Sequence, residues 1–487
     1  MLEAALPPAA AESLLRNGPL ADRRAGRSRG RPVGLSWLDT AEGALAGEGL
    51  ALEQGRRGPR RLIRVLPQAG STWLPGTPPP TLDEIGPAAL PAEAGDGAVM
   101  PVAGFAGTLT RLVLRGGVEA ALLKGRLRSV AEERPAARLT LTGEPSAVLE
   151  TMAALAETVP LLPARAALAE EGRALARGEA LRPRRLGAPV LDPSLDVETA
   201  LCLALGHLTE VLLWHAPGAH AGTSPEGVHQ MRVAMRRLRS LLRVFRPACD
   251  GPSLRRFDAG LREMAKVLGP ARDWDVWLGG LGAEIAEALP EDARIAALLR
   301  AARHKRESAY AALRPVLEGP ELRRLAWSAV ALATHRPWRE ESGDGQADRR
   351  TQPLGEFGAK VLDRRWKRLT LPGRQIADLP DPEFHALRIE GKRMRYAAEL
   401  FAPLWSRKRA KRFLGCLAEV QDAFGLANDA SVARDLMAGL TAKGGGNLQW
   451  AAGVAEGWTL AKARRARSKA AAAWKDLLDE GIFWNQS

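Results

Sequence analysis

From about residue 195 onward, apolar side chains recur at steps of three and four, the spacing that lines one face of an α-helix. Glycine and proline punctuate this run at Pro247, Gly269-Pro270, Gly319-Pro320, Pro372-Gly373, Pro403 and the Gly444-Gly445-Gly446 triplet, and each is expected to end or separate a helix. Residues 336–353 (RPWREESGDGQADRRTQP) are polar and rich in breakers, which predicts a seam inside the helical region. Ahead of residue 180 the pattern is mixed. Residues 62–66 (LIRVL) and 138–142 (RLTLT) read as short strands, whereas the Leu14-Leu15 run and residues 146–158 read as helices. Residues 67–104 carry many Pro and Gly with few periodic apolar positions and predict loop. The Pro- and Arg-rich residues 181–193 predict a linker. The expected organisation is α+β multidomain: a mixed domain at 1–180, a linker at 181–194, helical halves at 195–335 and 354–480, and a second linker at 336–353.

Within the helical region, a single stretch occurs twice. Residues 228–247 read VHQMRVAMRRLRSLLRVFRP, and residues 384–403 read FHALRIEGKRMRYAAELFAP. At a constant offset of 156 residues (385 − 229), His229 matches His385, Arg232 matches Arg388, Arg236 and Arg237 match Lys392 and Arg393, and Arg239 matches Arg395. The same offset aligns Gly269, Ala271, Asp273 and Val276 with Gly425, Ala427, Asp429 and Val432. So long a period is not that of a solenoid and indicates a duplicated helical domain.

Helical geometry gives the repeated stretch two faces. At about 100° per residue, His229, Arg232, Arg236, Arg239 and Arg243 fall in a stripe about 80° wide and about 21 Å long. Met231, Met235, Leu238, Leu241, Leu242 and Phe245 take the opposite side. In the second copy His385, Arg388, Lys392 and Arg395 repeat the stripe, with Glu399 where Arg243 stands. A single arginine-rich amphipathic helix most often presents a solvated face. Positive or ionisable groups kept at every shared position of both copies point instead to a bound polyanion.

Composition agrees with that direction. Of 487 residues, 46% are apolar and 26% charged, which excludes disorder for the bulk of the chain. Seventy Lys and Arg against 56 Asp and Glu leave a net charge of +14, which favours nucleic acid, a phosphate polymer or an anionic membrane as partner. Residues 1–190 hold 24 basic and 20 acidic side chains and the remainder 46 and 36, so +10 of the excess lies in the helical region. Cys202, Cys249 and Cys416 form neither a disulfide framework nor a Cys-x-x-Cys pair, and a reducing compartment is expected. The opening MLEAALPPAAAESLLR has Glu3 and no basic stretch before an apolar run, so no secretory signal is expected. The most apolar stretch, residues 200–216, is interrupted by His207, Glu210 and His215, and the expectation is a soluble cytoplasmic protein without a membrane partner.

Aromatic residues make up only 5% of the chain, and Tyr396 alone lies near either stripe. Proteins that hold single-stranded nucleic acid stack its bases on aromatic rings. A ligand that is all phosphate therefore suits these stripes better, since arginine's planar fork matches phosphate oxygens. The basic runs Arg407-Lys408-Arg409, Lys411-Arg412 and residues 462–469 are either extensions of the track or solvated helix faces. His229 and His385 stand among cations without carboxylate or thiol neighbours in sequence, which disfavours a metal and suits a phosphate donor or an interhelical residue; no cofactor is expected. Asp273 and Asp429, each four residues after a glycine, are expected to be structural, as helix caps or as internal partners of an arginine, rather than catalytic.

These residues resemble the CHAD family, the conserved-histidine α-helical domain, whose halves each carry an H-x-x-R-[VI]-x-x-[RK]-R-x-R helix. The likeness covers about residues 195–480 and includes Arg272-Asp273, Asn428-Asp429 and residues 417–425 (LAEVQDAFG). It implies two helical bundles related by a pseudo-twofold, a basic central surface, and binding of inorganic polyphosphate with association to polyphosphate granules. The positions so implied are His229, Arg232, Arg236, Arg237, Arg239, His385, Arg388, Lys392, Arg393 and Arg395, to which the stripe adds Arg243. The N-terminal region is similar to the CYTH family, a triphosphate-tunnel antiparallel β-barrel, at residues 37–43 (WLDTAEG), 49–52 (GLAL) and Val118-Glu119. Its chemistry departs from that family. MLEAALPP stands in place of the E-x-E-x-K strand, Leu52-Glu53-Gln54-Gly55 in place of L-R-x-R, and ARLTLT in place of the acidic strand. Without clustered carboxylates a tunnel cannot hold its metal ions, so a degenerate, non-catalytic domain is expected. The competing expectations are a metal-dependent triphosphatase or polyphosphate hydrolase in the N-terminal region, and a nucleic-acid-binding scaffold in the helical region.

Overall fold

The computed structural model describes every residue except 17–18, 57–58, 65–80, 86–89, 96, 182–185, 342, 372–375, 377–378, 442–444 and 485–487. The chain divides into two units, the first made of Met1–Gly187 with Thr209–Trp214 and Glu318–Arg336, the second of the remainder.

The first unit runs β1 (Leu2–Ala5), α1 (Pro8–Arg16), α2 (Pro19–Asp22), β2 (Arg29–Thr40), α3 (Ala44–Gly47), β3 (Leu50–Gly55), β4 (Arg60–Arg64) and β5 (Thr81–Ile85). It continues with β6 (Val99–Val113), β7 (Glu119–Arg128), β8 (Glu133–Thr142), α4 (Pro145–Thr158), β9 (Leu162–Pro163) and α5 (Leu168–Arg177). The nine strands form one antiparallel sheet in the order β5-β4-β3-β2-β6-β7-β8-β1-β9, a curled arrangement compatible with the tunnel-like resemblance. Side chains alternate between its two faces, as a pleated strand requires. Trp37, Ala103, Phe105, Leu127 and Ala136 pack with Ala169 and Leu175 of α5. Leu112, Leu122, Leu139 and Leu141 face the other way, against Leu14 of α1 and Met152 and Leu155 of α4. Trp327 joins that second cluster, and its indole N–H donates to the Leu161 carbonyl at 3.0 Å.

One expectation for this unit is corrected. Residues 67–104 are not all loop: among the described ones, 81–85 form β5 and β6 begins at Val99. One glycine of that stretch serves close packing of strands: Gly104 lies opposite Ser36, and a Cβ there would stand 2.7 Å from the Leu35 carbonyl oxygen. The opening segment, which lacks the E-x-E-x-K motif, nonetheless forms a strand, with Glu3 opposite Thr140. Residues 65–66 of the expected LIRVL strand lie outside the described residues.

The helical elements are α6 (Val197–Ala221), α7 (Glu226–Phe245), α8 (Pro252–Trp277), α9 (Ala283–Ala288), α10 (Ala293–Glu318) and α11 (Pro320–His335). The short α12 (Trp338–Glu341) and α13 (Ala347–Arg350) occupy the polar seam, followed by α14 (Leu354–Thr370), α15 (Asp381–Phe401), α16 (Arg407–Thr441) and α17 (Gly446–Glu480). α6 is long and apolar enough to cross a membrane, yet 72% of that stretch is buried, which marks a core helix. Gly269-Pro270 was expected to break a helix and does not: α8 continues through it. An internal proline forfeits one backbone hydrogen bond, and the buried neighbours Leu268 and Ala271 keep the segment packed as helix.

The two copies meet through α7 and α15. Phe245 and Phe401, the same position in each copy, approach to 6.2 Å between ring centroids, and Phe357 lies 5.5 and 6.4 Å from them. Contact between equivalent residues is what a twofold relation of the two copies produces beside its axis.

Candidate functional site

All six residues assigned to the apolar face of α7 are buried, which leaves the basic stripe on the opposite side. Arg236 and Arg243 are exposed, while His229, Arg232, Arg237 and Arg239 are half-buried. Two stripe arginines lean on α8: Arg232 Nη1 donates to the Ala265 carbonyl at 3.0 Å, and Arg239 Nε to Asp258 Oδ1 at 2.8 Å. Burial, followed by the charge of Arg272, holds the His229 imidazole below its ordinary range. Burial also lowers the Arg232 guanidinium, and Arg236 and Arg272 add to this against the opposing pull of Asp273.

Asp273 lies inside α8 and caps no helix end, which removes one of the two structural roles expected of it. Burial raises its carboxyl, while Arg232 and Arg272 pull it down. It is therefore an electrostatic neighbour of those arginines. Asp429 belongs to α16, and its side chain lies outside the described residues.

On α15, His385 is exposed and Arg388, Lys392, Arg393 and Arg395 are half-buried. Arg395 Nε donates to Glu399 Oε1 at 2.8 Å, and the other oxygen of Glu399 accepts from Arg237 Nη2 of α7 at 3.1 Å. One carboxylate thus neutralises two of the expected ligands, one from each copy. Arg393 pairs with Glu390 one turn before it, and Arg365 of α14 lies 3.9 Å from the same carboxylate.

Sequence reasoning missed Asp258, Glu390 and Arg365 because the residues 156 positions away do not repeat them. Their counterparts are Leu414, Ala234 and Thr209. Arg272 sat inside the second repeated block, so a signal for it existed. The runs around Arg407 and Lys411 are exposed at the start of α16. Among the described residues, no three His, Cys, Asp or Glu side chains gather as a metal site. Chemically, the surface offers guanidinium and imidazole donors spaced along two helices, suited to multipoint hydrogen bonding with anionic oxygens.

Residues 203–438 match the family model of the CHAD domain. Among solved structures, the crystal structure of the CHAD domain from the plant Ricinus communis is similar, at 26% identity and a TM-score of 0.53, covering 63% of this chain and 99% of that one. PptA from Streptomyces chartreusis aligns at 18% identity and a TM-score of 0.44, covering 58% of this chain and 100% of that one, a likeness too slight to bear on function. No curated protein matches the chain.

Proposed function

Residues 203–438 form a CHAD domain, and from that premise we propose that the chain binds inorganic polyphosphate without turning it over, in the cytoplasm and on polyphosphate granules. The ligands are His229, Arg232, Arg236, Arg239 and Arg243 of α7 with His385, Arg388, Lys392 and Arg393 of α15; Arg237 and Arg395 contribute through their shared Glu399. The observation that carries this reading is the basic stripe left on α7 opposite its buried side, where like charges crowd: His229, Arg232 and Arg272 each lose proton affinity first to burial and then to neighbouring cations. A polyanion laid along the stripe relieves that repulsion. Polyphosphate is favoured over nucleic acid because the aromatic rings of the two helices' core side, Phe245 and Phe401, are fully buried and offer nothing for a base to stack on.

The first unit takes no catalytic role in this proposal. Its buried carboxylates are engaged in structure: Asp39 accepts backbone N–H groups of Thr40, Leu45 and Ala46, and Glu170 pairs with Arg173 at 3.0 Å.

Binding to long-chain polyphosphate, followed by calorimetry across a salt series with homopolymer RNA as competitor, tests the proposal. The logarithm of the affinity is expected to fall linearly with the logarithm of salt concentration, as counterions are released. Combining Arg232→Glu, Arg236→Glu, Arg388→Glu and Lys392→Glu should abolish binding. Unchanged affinity in that variant, or preference for RNA, overturns the assignment.

A further inference from the structure

The offset of 156 residues gives each feature beside the pseudo-axis a counterpart, and at one place the two differ in sign. Arg237 of α7 faces Glu399 of α15, an opposite-charge pair at 3.1 Å. The equivalent pair is Arg393 with Arg243, two like charges. Burial, Arg239 and Arg393 together depress the Arg243 guanidinium, against the pull of Asp258.

The space beside each pair follows the charge. Next to Glu399 it shrinks to about 10 Å³, lined among others by Leu208, Leu241, Tyr396 and Leu400. Next to Arg243 it opens to a cavity of about 350 Å³, whose charged lining is Arg243, Arg246, Arg364, Arg365, Arg368 and the single carboxylate Asp250. That carboxylate is already engaged by Arg246 at 3.0 Å and Arg255 at 2.8 Å. Among the described residues, no carboxylate makes an ion pair with Arg243 or Arg368. Arg365 is drawn in deeply, with its side chain only 14% exposed.

Three of these arginines lie outside the duplication. At the positions of Arg364, Arg365 and Arg368 the first copy has Leu208, Thr209 and Leu212, all buried. The cavity, lined by α7 of the first copy and α14 of the second, therefore has its arginine cluster on one side of the junction only. Its volume is at the small end for a ligand pocket, and five guanidinium groups against one occupied carboxylate exclude an apolar or cationic occupant. The match is a group with several negative charges within a few ångströms, whose oxygens take bidentate arginine contacts.

We propose that this cavity is a one-sided site for a compact oligophosphate of two or three phosphates, either a free anion or the end of a longer chain. The site shares Arg243 with the proposed polyphosphate surface but does not depend on that reading, because a free triphosphate fills it alone.

Calorimetry on the full chain at fixed ionic strength tests it, with pyrophosphate, tripolyphosphate and long-chain polyphosphate as probes. Tripolyphosphate should bind once per chain. Arg364→Gln combined with Arg368→Gln should weaken it by about tenfold or more, with unchanged melting, since both side chains are exposed. Arg243→Glu should rebuild an ion pair with Arg393 and weaken tripolyphosphate comparably, without lowering the melting temperature. Polyphosphate with esterified ends separates the two sources. If the site holds a chain end, blocking the ends removes the share of the affinity that Arg364 and Arg368 supply; if it holds a free anion, long-chain binding ignores both the block and the paired Arg364→Gln and Arg368→Gln changes. Absence of tripolyphosphate binding, or binding unchanged in both variants, overturns the proposal. Failure of long-chain binding alone overturns the surface reading and leaves this one standing.

Discussion

The imidazole of His229 sits where burial and the charge of Arg272 both oppose its protonation. Phosphates laid along the stripe would reverse the second effect, so the bound state holds His229 at a higher pKa than the free state. More protons in the bound state mean affinity that strengthens as pH falls. Polyphosphate affinity should therefore rise from about pH 8 to about pH 6, and His229→Gln should flatten the rise, as read from dissociation constants across that range. Folding carries the opposite sign. A histidine with a lowered folded pKa contributes stability above its unfolded value and loses it as pH falls below. His229 and its arginines were legible in the sequence because duplication displayed them twice. Arg364, Arg365 and Arg368 were not, since a feature found in one copy produces no repeat and three arginines on one helix look like any solvated face.

At the scale of elements, all six positions that the apolar period of α7 assigned to the core are buried, because a helix packed on one side must bury a contiguous stripe; Val228, Ala234 and Val244 beside them are buried as well. Breaker residues misled twice. Pro270 is carried inside α8 by packing on both sides of it, and Gly104 of β6 serves strand contact instead of a turn. What local propensity signals, tertiary packing can override. The element with most bearing on activity is α5. Gly172 lets it approach so closely that a Cβ there would lie 3.0 Å from the Trp37 ring and 3.1 Å from Ala103. Trp37, Phe105 and Leu127 fill the sheet face under that helix, and the carboxylates beside it, Glu53 and Glu171, are engaged by the Trp37 indole N–H and by Arg138. The full chain is accordingly expected to release no phosphate from tripolyphosphate with Mg²⁺ or Mn²⁺; steady turnover in a phosphate-release assay would contradict this.

At the scale of the whole chain, the meeting of Phe245, Phe357 and Phe401 joins the two copies into one core. Phe245→Ala removes a ring from that junction and should cost the helical unit about 3–5 kcal/mol, measured by urea denaturation followed through helical signal. The duplication predicted that two related halves exist, but their mode of contact could not be read from it, because a repeat fixes equivalence and not which equivalent surfaces touch. Covalent linkage of the halves also sets what can vary between them. Two identical subunits around such an axis would repeat each substitution: glutamate at both sites would give two ion pairs, and arginine at both would place two like-charge contacts beside one core. A single chain is released from that constraint. It carries Glu399 on one side as a clasp and Arg243 on the other, so the clasp keeps the halves together while the opposite side is left to diverge.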